Sequence, residues 1–555
     1  MKSLFFISFM ILLNFNCSAQ KMYLKINGNS IIENKTIDSI GYNTNHINIK
    51  SVFDEANFMS EKLLKLGFIE NEVIENKKTN DTTFRFVFDI RKKTNFIHIY
   101  IGANSELKTL GILKNKNDTL KIAFSEIENF MQQNLKLLEQ KGFSLSSLKL
   151  INYRKTNHIL FADLDLQVGN KRQLNDIVIV GYEKFPEGHK KNIKRLYKNK
   201  VFNLENLKKL KDDFDKFRFI SQKKYPEILF TKDTTKVYVY LEKTKPNRFD
   251  GLVGFSNDEK RKIKFNGYLD LLLINTLNSG EEFTLFWKSD GADQKTFNAG
   301  LELPYIFKTR FGLKTTLNIF KQDSTFQNTK TNLDIGYFFN YNSRLYLGYQ
   351  SAESSDIQNV NKLSLSDFKN TFTTLSFEFL NFKNEDFLFP EKTKINLKTG
   401  FGSRTSTFND DKQIYFEVNL KHNLYLNEKN SFNLKSQNYY LKSGAYLINE
   451  LYRFGGINSI RGFNENSLQA NVFTSILTEY RYLLTPTIYF HTITDYGFYK
   501  DSTINKNSTL LGIGFGFGLL TKNGLLNLVY ANGSTKDQAI KTANSIVHIK
   551  FVTNF

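Results

Sequence analysis

Hydrophobic positions along the first 246 residues change spacing in an order that recurs three times. Each unit begins with a short apolar strand ending in glycine, continues with apolar residues at helical spacing, and closes with an alternating strand. A spacing of about 3.6 predicts an amphipathic helix, and a spacing of two predicts a strand with one buried face. The opening strands are residues 22–28, 96–102 and 177–181, and the closing strands are residues 84–88, 160–166 and 237–241.

The helices of these units also end alike. A Gly-Phe pair follows the first long helix at residues 67–68 and the second at 142–143, and a degenerate copy ends the third at Phe219. A glycine just past a helix adopts the left-handed cap, and the next apolar side chain packs back on the helix. In the second unit, residues 125–128 (SEIE) have capping-box spacing, which predicts a helix N-terminus there.

The three units, at a period of about 75 residues, resemble polypeptide-transport-associated (POTRA) domains, with boundaries expected at 20–94, 95–172 and 173–246. In that family such domains lie in the periplasm and bind a client by adding its extended strand to an open sheet edge. Main-chain hydrogen bonds then provide most of the affinity. Three unrelated α+β domains are the alternative, but they would have to reproduce the same landmarks at one period by chance.

Residues 1–19 have the pattern of an export signal. A charged start, an apolar run and the small-x-small sequence Cys17-Ser18-Ala19 predict a signal peptide cleaved after Ala19. Cys17 is the single cysteine, so the cleaved chain is expected to form no disulfide. A lipidated Cys17 is the alternative.

From residue 247 the helical spacing ends. Alternating segments of about ten residues, separated by turn-like clusters, are typical of outer-membrane barrels with an apolar outer face and a polar inner face. No run of 18 or more apolar residues follows the signal segment, so a membrane-spanning helix is not expected. Residues 247–555 accommodate about sixteen antiparallel strands, and roughly fourteen to eighteen fit equally well. The expected fold class is α+β repeats followed by an all-β transmembrane barrel.

The end of the chain supports this interpretation. Val547, Ile549 and Phe551 alternate with polar residues before the terminal Phe555. Such a strand resembles the C-terminal signal by which outer-membrane barrels are recognised for assembly. A soluble β-sandwich would have little use for aromatic residues on the face away from its core.

The formal charge of +21 does not alter the expected fold class. Lysines are spread over helices and loops, so a solvated surface attracted to outer-membrane lipids explains the charge better than a nucleic-acid partner. The seven histidines have no metal-ligand spacing, and the sequence contains neither a nucleophile elbow nor a phosphate-binding loop. We therefore predict that the protein is not an enzyme and has no catalytic residue, no metal and no cofactor.

Three motifs in the second half resemble those of the BamA/TamA-type outer-membrane assembly factors. The stretch GGINSIRGF at residues 455–463 is similar to their Arg-Gly-Phe/Tyr loop. Residues 478–482 (TEYRY) are similar to their glutamate-bearing strand. Residues 493–497 (ITDYG) are similar to their Phe-x-Asp-x-Gly strand, with Ile493 departing at the aromatic position.

Strand parity directs two carboxylates toward the space that such a loop would enter. If Tyr480 faces lipid, Glu479 faces the lumen, and the same alternation points Asp495 inward from the next strand. With a tight turn at residues 484–486, the two carboxylates would be offset by about three residues, or roughly 10 Å. Because a buried arginine requires charged partners, we predict that Arg461 binds both carboxylates and acts as a latch.

The predicted latch has two parts. Its loop residues are Gly455, Gly456, Arg461, Gly462 and Phe463, and its partners on the barrel wall are Glu479, Asp495 and Gly497. The alternative is a surface turn at the glycine pair with a solvated arginine.

The resemblance implies an outer-membrane protein assembly or translocation factor. Its POTRA-like domains would bind client outer-membrane or secreted polypeptides, with periplasmic or lipoprotein accessory subunits as further partners. The lumen and the seam between the first and last barrel strands would then insert or export the client. A two-partner-secretion-type transporter of one dedicated protein, a passive porin-like channel and a lipid-handling protein are the alternatives.

Overall fold

The computed structural model describes residues 21–102, 105–113, 117–156, 159–257, 263–289, 294–359, 364–383, 386, 388–522, 524–541 and 545–554. The expected signal segment, including Cys17, and the terminal Phe555 lie outside these residues. The chain forms two compact units, Met1–Gln173 with Val201–Glu205 and Leu174–Lys200 with Asn206–Phe555. The domain boundaries expected from the sequence stay a prediction.

The first unit contains two α+β domains. The first domain has a sheet of order β2-β1-β4-β3, in which β1 and β4 are parallel. Two helices cover this sheet and bury Val52, Met59 and Leu63 against Phe88. The edge strand β3 is exposed along its whole length. In chain order the elements are β1 (Met22–Gly28), α1 (Ile31–Ile40), β2 (Asn45–His46), α2 (Ile49–Lys65), β3 (Glu72–Lys78) and β4 (Thr83–Asp89).

The second domain repeats this plan. Its sheet has the order β6-β5-β8-β7, with β5 and β8 parallel and β7 at an edge. Ile97, Ile99 and Ala162 are buried in the sheet, and Leu138 is buried on the long helix. The elements are β5 (Phe96–Tyr100), α3 (Glu106–Thr109), β6 (Thr119–Ala123), α4 (Ile127–Gln140), β7 (Ser147–Thr156) and β8 (Ile159–Gln167).

The glycine caps expected after the two long helices are confirmed. Gly67 and Gly142 have φ angles of 103° and 98°, and the amide of the next residue donates to a carbonyl oxygen of the helix at 3.0 Å and 2.9 Å. The capping box expected at residues 125–128 is wrong. Phe124–Glu126 forms a 3₁₀ turn instead, α4 begins at Ile127, and no side chain caps that end.

The third domain belongs to the second unit apart from the start of its second helix. Its central strand β12 pairs in parallel with β9 and antiparallel with β10 and β11. Val237 and Val239 on this strand are fully buried, as are Leu210 and Phe214 on the second helix. The elements are β9 (Asp176–Val180), α5 (Glu187–Tyr197), α6 (Leu204–Asp215), β10 (Ile220–Gln222), β11 (Glu227–Phe230) and β12 (Thr235–Lys243).

A closed antiparallel barrel of sixteen strands follows, which confirms the expected fold class. Its first eleven strands are β13 (Arg248–Asn257), β14 (Ile263–Ile274), β15 (Glu282–Ser289), β16 (Gln294–Leu303), β17 (Phe311–Gln322), β18 (Phe326–Asn340), β19 (Ser343–Asp356), β20 (Phe368–Phe382), β21 (Glu391–Ser406), β22 (Asp411–Tyr425) and β23 (Asn430–Lys442). A separate hairpin comprises β24 (Tyr452–Phe454) and β25 (Leu468–Ala470). The remaining wall strands are β26 (Val472–Thr485), β27 (Ile488–Asp501), β28 (Lys506–Thr521), β29 (Gly524–Thr535) and β30 (Ile546–Asn554). In the described part of the chain, no helix is both long and apolar enough to cross a membrane.

The barrel closes where its first strand meets its last. Among the described residues only two pairs join β13 to β30, Arg248 with Asn554 and Phe249 with Thr553. By contrast, β13 pairs with β14 at ten positions, and β29 pairs with β30 at seven. The seam is therefore the shortest strand pairing that the described wall contains.

A buried histidine joins the third domain to the barrel. The His189 ring on α5 is fully buried, and its centre lies 4.8 Å from that of Tyr305 and 5.5 Å from that of Tyr341 on the barrel rim. On the side of the domain it packs edge-on against Phe217 at 5.3 Å. Neither ring nitrogen has a hydrogen-bond partner within the described chain. This burial, with Arg344 nearby, lowers the pKa of His189 to about 3.

The buried histidine predicts that acid loosens this junction. Because the pKa is lowered on folding, the open form binds a proton first as the pH falls from about 6.5 toward 3, and stability is lost over that range. Between pH 7.5 and 5 we expect the free energy of opening α5, measured by hydrogen exchange, to fall by up to about 2 kcal/mol. His189→Phe should abolish most of this fall, whereas His98→Phe in the second domain should not. An equal fall in both variants would contradict the assignment.

Candidate functional site

Residues 443–471, between β23 and β26, form a loop inside the barrel, which we name the lumen loop. It contains a 3₁₀ turn, Ile448–Glu450, and the hairpin of β24 and β25, with its tip between those two strands. Phe454 and Ile460 are buried and pack in one cluster with Phe473 and Leu477 of the wall. Since these wall residues alternate with exposed neighbours, they face inward, and the loop fills part of the lumen.

Arg461, at the tip of the lumen loop, is bound by both predicted carboxylates. Its Nε donates to Asp495 Oδ2 at 2.8 Å, its Nη2 donates to Asp495 Oδ1, and its own amide donates to Asp495 Oδ2 at 3.0 Å. Its Nη1 donates to Glu479 Oε1. All three side chains are buried. The structure therefore brings these predicted residues together in a bidentate, charge-assisted arrangement.

A second arginine, whose pairing with Glu479 was not predicted, completes the group. Arg481 lies two residues after Glu479 on the same inward face, and its Nε and Nη2 donate to Glu479 Oε2. Its guanidinium also stacks over Phe389 at 4.1 Å. Arg461, Arg481, Glu479 and Asp495 form what we name the charge cluster. Its formal charges cancel, which lowers the cost of burying it. Strand parity in the sequence points Arg481 inward together with Glu479, but it does not show that the two side chains bind each other.

The glycines let the loop tip lie directly on the barrel wall. Gly462 has a φ of 85°, and a Cβ there would lie 2.3 Å from the backbone of Asn532 and Gly533 on β29. A Cβ on Gly497 would lie 2.3 Å from Cδ1 of Ile460. A larger residue at Gly462 would push the tip away from the wall, whereas one at Gly497 would first require the end of the Ile460 side chain to move.

The other predicted loop residues lie around this contact. Gly455 and Gly456 both have positive φ angles at the start of the tip. Phe463 is half-buried and packs against the same apolar cluster as Phe454.

The predicted spacing of the two carboxylates needs correction. Leu477 pairs with Asp495, so Glu479 is offset from Asp495 by two residues rather than three. The turn also lies at residues 486–487, because β26 continues to Thr485. The shorter offset, roughly 7 Å along the strands, lets one guanidinium reach both carboxylates.

A further ion pair holds the stem of the lumen loop, and the sequence reasoning missed it too. Arg404 on β21 is almost completely buried; its Nη1 donates to Glu450 Oε1 at 2.5 Å and to Ala445 O at 3.2 Å. Its Nη2 donates to Asp411, its register partner on β22. Gln413 donates to the other oxygen of Glu450 at 2.9 Å. The pairing of Arg404 with Asp411 across a hairpin could have been inferred, but the position of Glu450 could not.

The lumen loop is thus fixed on well-separated parts of the wall. Its stem is held at β21 and β22 through Arg404, and its tip at β26 and β27 through Arg461. Glu465 also binds Lys288 on β15. The loop therefore spans the lumen as a strap.

The predicted C-terminal assembly signal lies outside the lumen loop and the charge cluster. Val547, Ile549 and Phe551 are exposed on one face of β30, whereas Phe555 lies outside the described residues. Their role as an assembly signal stays a prediction. Within the described chain, no group of three or more His, Cys, Asp or Glu residues is placed to hold a metal ion.

Similar solved structures share this architecture. CdiB from Acinetobacter baumannii is 13% identical, with a TM-score of 0.52, over 95% of this chain and 100% of that one. CdiB from Escherichia coli is 13% identical, with a TM-score of 0.51, over 90% and 97%. BamA from Haemophilus ducreyi lacking POTRA domains 1–3 is 14% identical over 81% and 97%, with a TM-score of 0.46, which is too low to add support.

These structural matches define the class of fold. The protein has the fold of the CdiB structures, with small α+β domains before a sixteen-stranded barrel. No protein-family model matches the sequence. No curated protein matches it either.

The charge cluster predicts a large effect of removing Arg461. Arg461→Ala leaves Asp495 buried without its partner, which should cost about 3–5 kcal/mol. We expect a lower midpoint of thermal unfolding in detergent micelles, read by gel mobility of folded and unfolded protein. Arg461→Gln combined with Asp495→Asn should recover part of the loss, because no uncompensated charge remains. Unchanged stability and unchanged client assembly in Arg461→Ala would contradict a latch.

The second ion pair predicts a separable effect at the stem. Arg404→Gln leaves Glu450 and Asp411 without their guanidinium, so hydrogen exchange at residues 445–451 should rise at least tenfold, equivalent to about 1.4 kcal/mol of local opening. Exchange at residues 458–463 should stay slow, because Arg461 still holds the tip. Lys412→Gln, at an exposed neighbouring position, serves as the control. Equal exchange at the stem in Arg404→Gln and the control would exclude a clamp at Arg404.

Proposed function

We propose that this protein is an outer-membrane factor that assembles or translocates polypeptides. Its N-terminal domains act in the periplasm, where they bind client outer-membrane or secreted chains. The barrel then inserts or exports these clients through its seam and lumen. No nucleotide is required, because edge hydrogen bonds are exchanged between the barrel and the client.

The short seam is the observation that carries this proposal. Two residue pairs close β13 onto β30 in the described chain, so these two strands are not paired with each other over most of their described length. Unpaired strand edges are templates for another strand. In a passive porin such an edge would be a defect, whereas in an assembly factor it is the site where a client strand pairs.

The edge strands of the first two domains support binding of extended clients. All residues of β3 are exposed, and β7 is exposed from Ile151 to Thr156. Each strand lies at the end of its sheet with one edge unpaired among the described residues. A client strand could extend either sheet through main-chain hydrogen bonds with little dependence on its sequence.

A disulfide across the seam tests the proposal. Phe249→Cys with Thr553→Cys places two thiols on register partners, at a spacing that suits a disulfide. Oxidation should lock the seam and reduce client assembly at least tenfold, and a reductant should restore it, because assembly requires β13 and β30 to separate. The measurement is proteomics of the outer membrane and of secreted proteins in cells that depend on the variant.

Leu347→Cys with Leu375→Cys is the matched control, since these outward-facing residues are register partners inside the long pairing of β19 and β20. Full activity of the oxidised seam variant would refute a gating seam. Loss of many barrel proteins would indicate a general assembly factor. Loss of one secreted protein alone would instead indicate a dedicated transporter.

A further inference from the structure

The outer face of α5 is strongly cationic. Lys191 and Arg195 on this helix, and Lys198 directly after it, are exposed. The opposite face of the helix is buried through His189 and Ile193. No carboxylate in the described chain forms an ion pair with these three cationic side chains. Their charge is therefore available to a partner outside the chain.

These side chains border a cleft of about 430 Å³. Lys191, Lys194, Arg195 and Lys198 line one side, and the backbone segment at residues 174–177 lines the other. Its single lining carboxylate, Asp176, binds Lys194 at 2.8 Å. The cleft thus carries a net excess of positive charge and has room for a phosphate group.

The position of α5 on the barrel relates this cleft to a bilayer. Asn192 Nδ2 donates to Thr309 O at 2.8 Å, which attaches the helix to the rim turn between β16 and β17. The side chain of Phe307 in this turn is 90% exposed. At the adjoining strand ends, the rings of Phe311 on β17 and Tyr337 on β18 have their centres 5.6 Å apart. Exposed aromatic residues at the end of barrel strands mark the level of the lipid headgroups.

We propose that the cationic face of α5 binds the phosphate groups of anionic phospholipids in the leaflet nearest the third domain. The proposal rests on the membrane placement given under the proposed function. Each cation held near an anionic surface strengthens attraction by about fivefold, so three unpaired cations produce a clear preference over zwitterionic lipid. The bound lipid would press the third domain against the membrane beside the barrel.

Native mass spectrometry of the full chain tests this binding. The protein is released from micelles that contain equal amounts of phosphatidylglycerol and phosphatidylethanolamine. We expect phosphatidylglycerol to be retained in preference. The triple variant Lys191→Gln, Arg195→Gln, Lys198→Gln should lose that preference by roughly tenfold or more. A control triple variant removes the same charge from exposed positions of the first unit and should retain the preference for phosphatidylglycerol. Its substitutions are Lys35→Gln, Lys136→Gln and Lys141→Gln.

Equal retention of the two lipids by the wild type would overturn the proposal, as would an unchanged preference in the α5 variant. Removal of the bound phosphatidylglycerol by inorganic phosphate at the same concentration would overturn the assignment to lipid. The gel mobility of folded barrel and the seam-disulfide assay report separately on the proposed function. A folded, seam-gated protein without lipid preference would therefore refute this inference alone.

Discussion

The ion pairs of Arg461 hold the interior of the barrel in one arrangement. Asp495 and Glu479 point into the lumen from adjacent strands, and neither could remain charged there without a partner except at a large desolvation cost. Glu479 also has Arg481 on its own strand, but Asp495 is paired with Arg461, which reaches it only if the loop tip lies against β26 and β27. The strap across the lumen and the charge state of the wall are therefore coupled, and loss of either destabilises the other.

This coupling has a mechanical consequence near the seam. The tip contacts β29 through Gly462 and β26 and β27 through Arg461, and only β30 lies between β29 and the seam. The wall strands before β30 are thus braced from inside, whereas β30 itself is joined to β13 by two pairs in the described chain. Strain applied at the seam would separate β13 from β30 before it disrupted the braced strands. A rigid wall next to a short pairing of β13 with β30 suits a barrel that opens between these two strands.

Much of this site follows from elementary periodicity in the sequence. Alternation in strands fixes which way Glu479 and Asp495 point, and a buried arginine must find carboxylates, so the main pairing could be predicted. The offset was wrong because it depends on where a turn closes, which side-chain pattern does not determine. Arg404 was missed because Glu450 lies in an irregular segment whose path is set by tertiary contacts. In the second domain, residues 125–128 have a capping-box pattern, but Phe124–Glu126 forms a 3₁₀ turn. The side chains therefore do not reach the backbone amides that they would cap.

The junction at His189 bears on the end from which the seam would open under the proposed function. Strand β12 ends at Lys243 and β13 begins at Arg248, so the start of β13 follows the third domain almost directly. The domain is fixed to the barrel rim by His189 and by Asn192, and the two seam pairs lie at this same end of β13. The anchored end resists movement, and the distant part of β13 toward Asn257 lacks pairs to β30 among the described residues. Opening of the proposed kind would therefore begin at the end of the seam farthest from the third domain, so a client strand would pair there first.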